Sequence, residues 1–177
     1  SMLIDYTPMD LSEIAGLKPG DVPDYDSRAI DNWNVGSIKM SDVLLFSSIA
    51  VPGLLMFDQE IRSDYRNFSL VWAQSLFLTL GFTNFTKVLV GRPRPYLYAD
   101  NASDNYKLKK DNRKSFFSGH TSISAVSWFL MASMYEDYRP GSNISPYLWV
   151  SAFLVPAYTA YCRYAVSYTH LTLPTIL

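Results

Sequence analysis

Four uncharged or nearly uncharged stretches of helical length, each closed by Gly, Pro or a cluster of charges, constrain this chain most. Residues 43–57 are uncharged, with Pro52-Gly53 inside them as an expected kink. Residues 58–67 form a charged turn. Residues 69–90 are the longest apolar stretch and carry one charge, Lys87, near the end. Gly91 and the pair Pro93 and Pro95 stop that helix. Residues 96–117 read as a polar, basic loop. Residues 120–135 are apolar again, 136–146 are a turn with Pro140-Gly141, and 147–161 are apolar up to Arg163. Ahead of them, residues 1–41 read as a polar lead-in broken by Pro19-Gly20 and Pro23, with a short amphipathic piece at 26–33. Ser41-Asp42 offers an N-cap for the first long helix. An all-α multi-helix bundle follows, with one helical domain over residues 42–165.

At 177 residues the chain has room for one domain with a real core. A formal charge of -1 argues against nucleic-acid partners, which call for a basic excess. The single cysteine, Cys162, excludes an internal disulfide framework. No apolar h-region stands in residues 1–41, so no signal peptide is read there, which leaves open a chain that needs none and a fragment. By length alone, only 69–90 reaches the ~20 apolar residues of a bilayer span. Tyr96, Tyr98, Tyr135, Tyr138, Tyr147 and Trp149 at stretch ends read as an interfacial belt, so a membrane-embedded bundle is preferred over a soluble one.

Short connections make successive helices alternate in direction. The second long helix then ends on one face with Lys87, Arg92 and Arg94. The third begins on that face at Ser118-Gly119-His120, and the fourth returns there with Arg163. Lys87 and Arg94, two helical turns apart, are expected on a shared face. Guanidinium groups take phosphate oxygens in bidentate fashion, and Lys adds a compact charge. Ser118-Gly119 at a helix start offers unpaired N–H groups to an anion, and Gly119 allows close approach. His120 is suited to protonating a leaving alkoxide. Taken singly, each has a structural explanation: a solvated helix end, a core histidine, a snorkelling arginine. Their joint placement favours an anion site.

Lys87-x6-Arg94-Pro95, then Phe117-Ser118-Gly119-His120, then Cys162-Arg163 resemble the three signatures of the type 2 phosphatidic acid phosphatase (PAP2) superfamily, K-x6-RP, PSGH and SR-x5-H-x3-D. The resemblance covers roughly residues 42–165. It implies that Lys87, Arg94 and Arg163 hold phosphate with Ser118 and Gly119, and that His120 is the acid. A histidine of the third signature would attack phosphorus, giving a phosphohistidine that water hydrolyses. No metal and no cofactor are implied for the phosphatase branch, because fixed cations do the electrostatic work. The implied substrate is a phosphorylated lipid: phosphatidic acid, polyprenyl diphosphate, phosphatidylglycerol phosphate and a lipid A phosphate all stay open. Two other readings stand beside it, a vanadium-dependent haloperoxidase and a non-catalytic membrane binding protein of the same fold. The implied location is a bacterial-type cell membrane, multi-pass, with the site facing the periplasm. The positive-inside rule points the other way, because the 92–118 loop carries Arg92, Arg94, Lys107, Lys109, Lys110, Arg113 and Lys114.

Phe117 and Cys162 depart from the signatures at positions that are not main anion ligands. The serious departure lies downstream. Thr169 stands where the nucleophile belongs, His170 comes one position late as a doubtful nucleophile, and no acidic residue follows Asp137. Residues 166–175, VSYTHLTLPT, read in one frame as a translated transposase sequencing adapter. Residues 166–177 are therefore expected to be a non-native tail on a bundle truncated at its C-terminus. A register-shifted His170 and a naturally degenerate third signature are the alternatives.

Overall fold

The computed structural model describes residues 9–18, 20, 35–98, 107–108 and 112–165. Among them no strand is present, and the fold is an all-α multi-helix one. The elements are α1 (Leu11–Ala15), α2 (Val35–Ala50) running into a 3-10 segment (Val51–Phe57), α3 (Gln59–Ser63), α4 (Tyr65–Val90), a 3-10 turn (Pro95–Tyr98), α5 (Gly119–Tyr138) and α6 (Ser145–Tyr164). The expected piece at 26–33 and the tail from 166 onward lie outside the described residues.

Local chemistry explains most boundaries. Pro52 removes a backbone donor, and at Val51 the α-helix tightens into a 3-10 one, where a kink was expected. Asp58 then caps α3, accepting from the Glu60 and Ile61 amides, so part of the expected charged turn is helical. Gly91 ends α4 with φ 56, a left-handed conformation that glycine adopts without a Cβ clash, while its N–H reaches the Lys87 carbonyl at 3.0 Å. Gly141, φ 75, turns the chain between α5 and α6 in the same way. Ser41-Asp42 is not a helix N-cap: both lie inside α2, which already runs through Val35–Met40. Those upstream residues include Gly36 and Ser37, weak helix formers that hide the true start.

The chain divides into two units. The first comprises Ser1–Ile38, Thr83–Ser118 and Cys162–Leu177, the second Lys39–Phe82 and Gly119–Tyr161. In the first unit Met9, Ile14, Tyr96 and Leu97 form a small core with Leu17 and Tyr98 against it. Tyr96 is fully buried there, which removes it from the interfacial belt that its position suggested. A capping box of Asp10 and Glu13 starts α1, and Glu13 holds Arg113 through both carboxylate oxygens, at 2.9 and 2.8 Å.

In the second unit the bonded pairs fix the helix directions. Asp42 meets His120 and Ser48 meets Ser124, so α2 and α5 run parallel. Thr159 reaches Ser124 and Trp149 reaches Glu136, so α6 runs antiparallel to α5. Tyr138 bonds Asp64 while Phe68 packs with Met131, which sets the first half of α4 antiparallel to α5 as well. The alternation expected from short connections is therefore what this unit shows. Leu55, Ile61, Phe68 and Met131 close its core at the end away from His120.

At that same end Arg139 bridges Asp58 at 3.0 Å and Glu60 at 2.9 Å. The Arg139 hydrogen bond, together with the Glu60 and Ile61 amides, holds the Asp58 carboxyl below the usual carboxylate range. A depressed folded-state value means the stabilisation is complete above the unfolded value, near 3.9, and fades as pH falls through the folded one. Amide exchange at Glu60 and Ile61, corrected for its intrinsic pH dependence, is expected to speed up in the native protein only as pH falls below the usual carboxylate range, through the depressed folded-state value. Asp58→Ala, which removes the acceptor, is expected to show fast exchange already at neutral pH, with no further acid response at these amides.

Candidate active site

Lys87, Arg94, Ser118 and Arg163 all belong to the first unit, and Gly119 and His120 begin the second unit's α5. Lys87 stands in the last turn of α4, where a cation complements the exposed carbonyls. Arg94 does not share a helix face with it, contrary to the two-turn spacing. The helix stops at Val90, and Gly91, in its left-handed conformation, redirects the chain. What positions Arg94 is a pair of backbone hydrogen bonds. The Arg94 N–H donates to the Asn112 carbonyl at 2.9 Å, and the Ser115 N–H donates to the Arg92 carbonyl at 3.1 Å. The segment leading to Ser118 is thereby laid along the segment carrying Arg92 and Arg94. Arg163 ends α6 and is 7% exposed, too buried for the snorkelling alternative.

Asn112 is the buried pin of this arrangement, and sequence reading missed it. Its Oδ1 accepts from the Met9 N–H at 3.1 Å and its Nδ2 donates to the Met9 carbonyl at 3.1 Å, across 103 positions. A second Nδ2 bond reaches the Lys107 carbonyl at 3.4 Å. Asn112→Ala orphans the buried Met9 amide and carbonyl and is expected to cost ~2–3 kcal/mol, read as a lower midpoint of unfolding in detergent. Asn112→Asp, which keeps only the acceptor, is expected to lose a similar amount.

α5 begins at Gly119, with Ser118 immediately before it, so Ser118 and Gly119 stand at the positive end of the helix dipole. His120 Nε2 lies 2.9 Å from Asp42 Oδ1, and both side chains are partly exposed. Asp42 is the second residue that sequence reading missed, because it was assigned to capping. One turn further along α5, the Ser48 and Ser124 hydroxyls hydrogen bond at 2.9 Å, the Trp128 indole N–H donates to Ser48 at 3.2 Å and Thr159 reaches Ser124 at 3.5 Å. Ser48, Ser124 and Thr159 are wholly buried. Their bonds lock the register of α2 against α5. Among the described residues no group of three His, Cys, Asp or Glu side chains stands ready for a metal ion. His170 lies outside them.

The sequence profile of the PAP2 superfamily matches residues 68–172. The chain belongs to the PAP2 superfamily. Over 138 residues it is 28% identical to a PA-phosphatase related-family protein of Dictyostelium discoideum, covering 72% of this chain and 51% of the relative. The chain thus spans about half the length of the curated relative it matches. No solved structure matches. The matched region covers the first two signatures and the Arg163 of the third, and makes a phosphatase-type protein the assignment at the level of the superfamily.

Proposed function

We propose that this PAP2 protein hydrolyses a phosphate ester or diphosphate carried by a lipid, through a phosphohistidine. Lys87, Arg94 and Arg163 neutralise the phosphoryl oxygens, and the Ser118 hydroxyl and the amides that open α5 at Gly119 donate to them. A histidine nucleophile attacks phosphorus, the bond to the leaving oxygen breaks, and that oxygen takes a proton from His120. Water then attacks the phosphohistidine and releases inorganic phosphate. His170, one position out of register, is the remaining histidine of this chain. The single observation that carries the reading is the run of motifs Lys87-x6-Arg94-Pro95, Ser118-Gly119-His120 and Arg163 inside the matched region.

The lipid half of the proposal rests on an inverted distribution of residues. Among the described residues one helix, Gly36–Phe57, is long and apolar enough to cross a membrane, with a mean hydropathy of 1.7. It is not the 69–90 stretch, where Gln74, Thr79, Thr83, Asn84 and Thr86 intervene. The 3-10 segment continues α2 past Pro52 and supplies the length. In this helix Ser41 and Ser48 are wholly buried, while Val43 is 62% and Phe46 69% exposed. α4 and α6 repeat the pattern with exposed Phe77, Leu78, Phe82, Phe85, Phe153 and Leu154. Small hydroxyl residues inside and large apolar ones outside suit helices whose surroundings are acyl chains. We place the His120 end on the outer, periplasmic side, following the superfamily. Cations that serve an anionic substrate inflate the count of basic residues on which the opposite orientation depends.

The test is phosphate release by the full-length protein in detergent, from phosphatidic acid, a polyprenyl diphosphate and a soluble alkyl phosphate. Release that is faster from the lipids and competitively inhibited by vanadate is the expected result. A well-folded protein that releases no phosphate from any of them overturns it, and halide oxidation appearing only with added vanadate would transfer the site to oxidation chemistry.

A further inference from the structure

We propose that Asp42 is the positioning residue of His120: it holds the imidazolium by Nε2 and directs the ring's proton to the leaving oxygen. The inference rests on the reading of His120 as the acid. α2 carries two charged residues within the Gly36–Phe57 span, Lys39 and Asp42, and none from Val43 onward. A carboxylate in so apolar a helix is costly and calls for a partner. It has one at 2.9 Å, across 78 positions. The contact is not an accident of a loose surface pair. Six residues further along α2 and four along α5, the buried Ser48–Ser124 hydrogen bond, with Trp128 on the same hydroxyl, fixes how the two helices slide. Wholly buried Ser41, next to Asp42, holds the same stretch of α2 inward.

A carboxylate on one imidazole nitrogen sets the ring's orientation and the identity of the nitrogen that reacts. With Nε2–H held on Asp42, Nδ1–H is the donor. The phosphorus–oxygen bond breaks with its electron pair going to the leaving oxygen, that oxygen takes the Nδ1 proton, and neutral His120 remains bonded to the Asp42 carboxylate. No proton passes to Asp42.

This role predicts a dependence on the leaving group that a purely structural contact lacks. An alkoxide must be protonated as it leaves, whereas p-nitrophenolate departs without help. In the full-length protein, Asp42→Asn is expected to lower kcat/KM for a soluble alkyl phosphate by ~10–100-fold and that for p-nitrophenyl phosphate by less than ~3-fold. Because kcat/KM stops at the first irreversible step, it reports departure of this group and not hydrolysis of the intermediate. Asp42→Glu is expected to recover part of the alkyl phosphate rate. Asp42→Ala is a second arm, in which added formate restores turnover of the alkyl phosphate selectively. Equal losses on both substrates, or no loss on either, in a protein where His120→Ala still acts selectively on the alkyl phosphate, overturn the proposal and leave the phosphatase reading standing. A His120→Ala protein that loses nothing overturns both.

Discussion

His120→Ala is expected to reduce kcat/KM on a lipid or alkyl phosphate by ~10²–10⁴-fold, the usual worth of a positioned general acid. An alkoxide is a strong base, and without a proton donor its departure carries nearly the whole barrier. The effect should therefore shrink as the leaving group becomes more acidic, and p-nitrophenyl phosphate should be much less affected. The substitution stays local. The ring is partly exposed and makes its 2.9 Å bond to Asp42 at the end of α5, away from the Leu55–Ile61–Phe68–Met131 core. The midpoint of thermal unfolding in detergent should accordingly stay close to that of the unmodified protein. A loss of activity that tracks a loss of folded protein would assign His120 to structure instead.

Arg163→Lys is the second large effect, and it separates charge from geometry. At 7% exposure the guanidinium of Arg163 is already withdrawn from water at the end of α6. Lysine keeps the charge there but offers a point donor in place of a planar fork. If Arg163 grips two phosphoryl oxygens, kcat/KM should fall ~100-fold, with vanadate and inorganic phosphate inhibiting more weakly by a similar factor. Arg163→Met removes the charge and should abolish inhibition by either anion within the accessible concentration range. Inhibition constants unchanged in both variants would mean that Arg163 supports the fold and does not touch the anion.

What could be read from the chain is local in character. Gly91 ends α4, Gly119 opens α5 and Pro52 changes the helix type because each acts through the backbone of a few neighbouring residues. The first two signatures are equally local, so the motif residues and the superfamily could be recognised without coordinates. Errors arose where a residue's role depends on distant partners. Ser41-Asp42 has the composition of an N-cap, but the helix begins upstream and Asp42 faces His120. Tyr96 has the composition of an interfacial residue, but Met9 and Ile14 cover it. Arg94 has helical spacing from Lys87, but its place is set by the carbonyl of Asn112.

Periodicity, breakers and motif spacing therefore determined the long helices, their alternation and the superfamily, since these follow from torsional preferences and side-chain chemistry along one stretch of chain. Tertiary structure alone decided which acid meets His120, what anchors the loop behind Arg94 and which helix is apolar on its outer face. Each of these is a contact over tens of positions, and its partner is chosen by the packing register of whole helices.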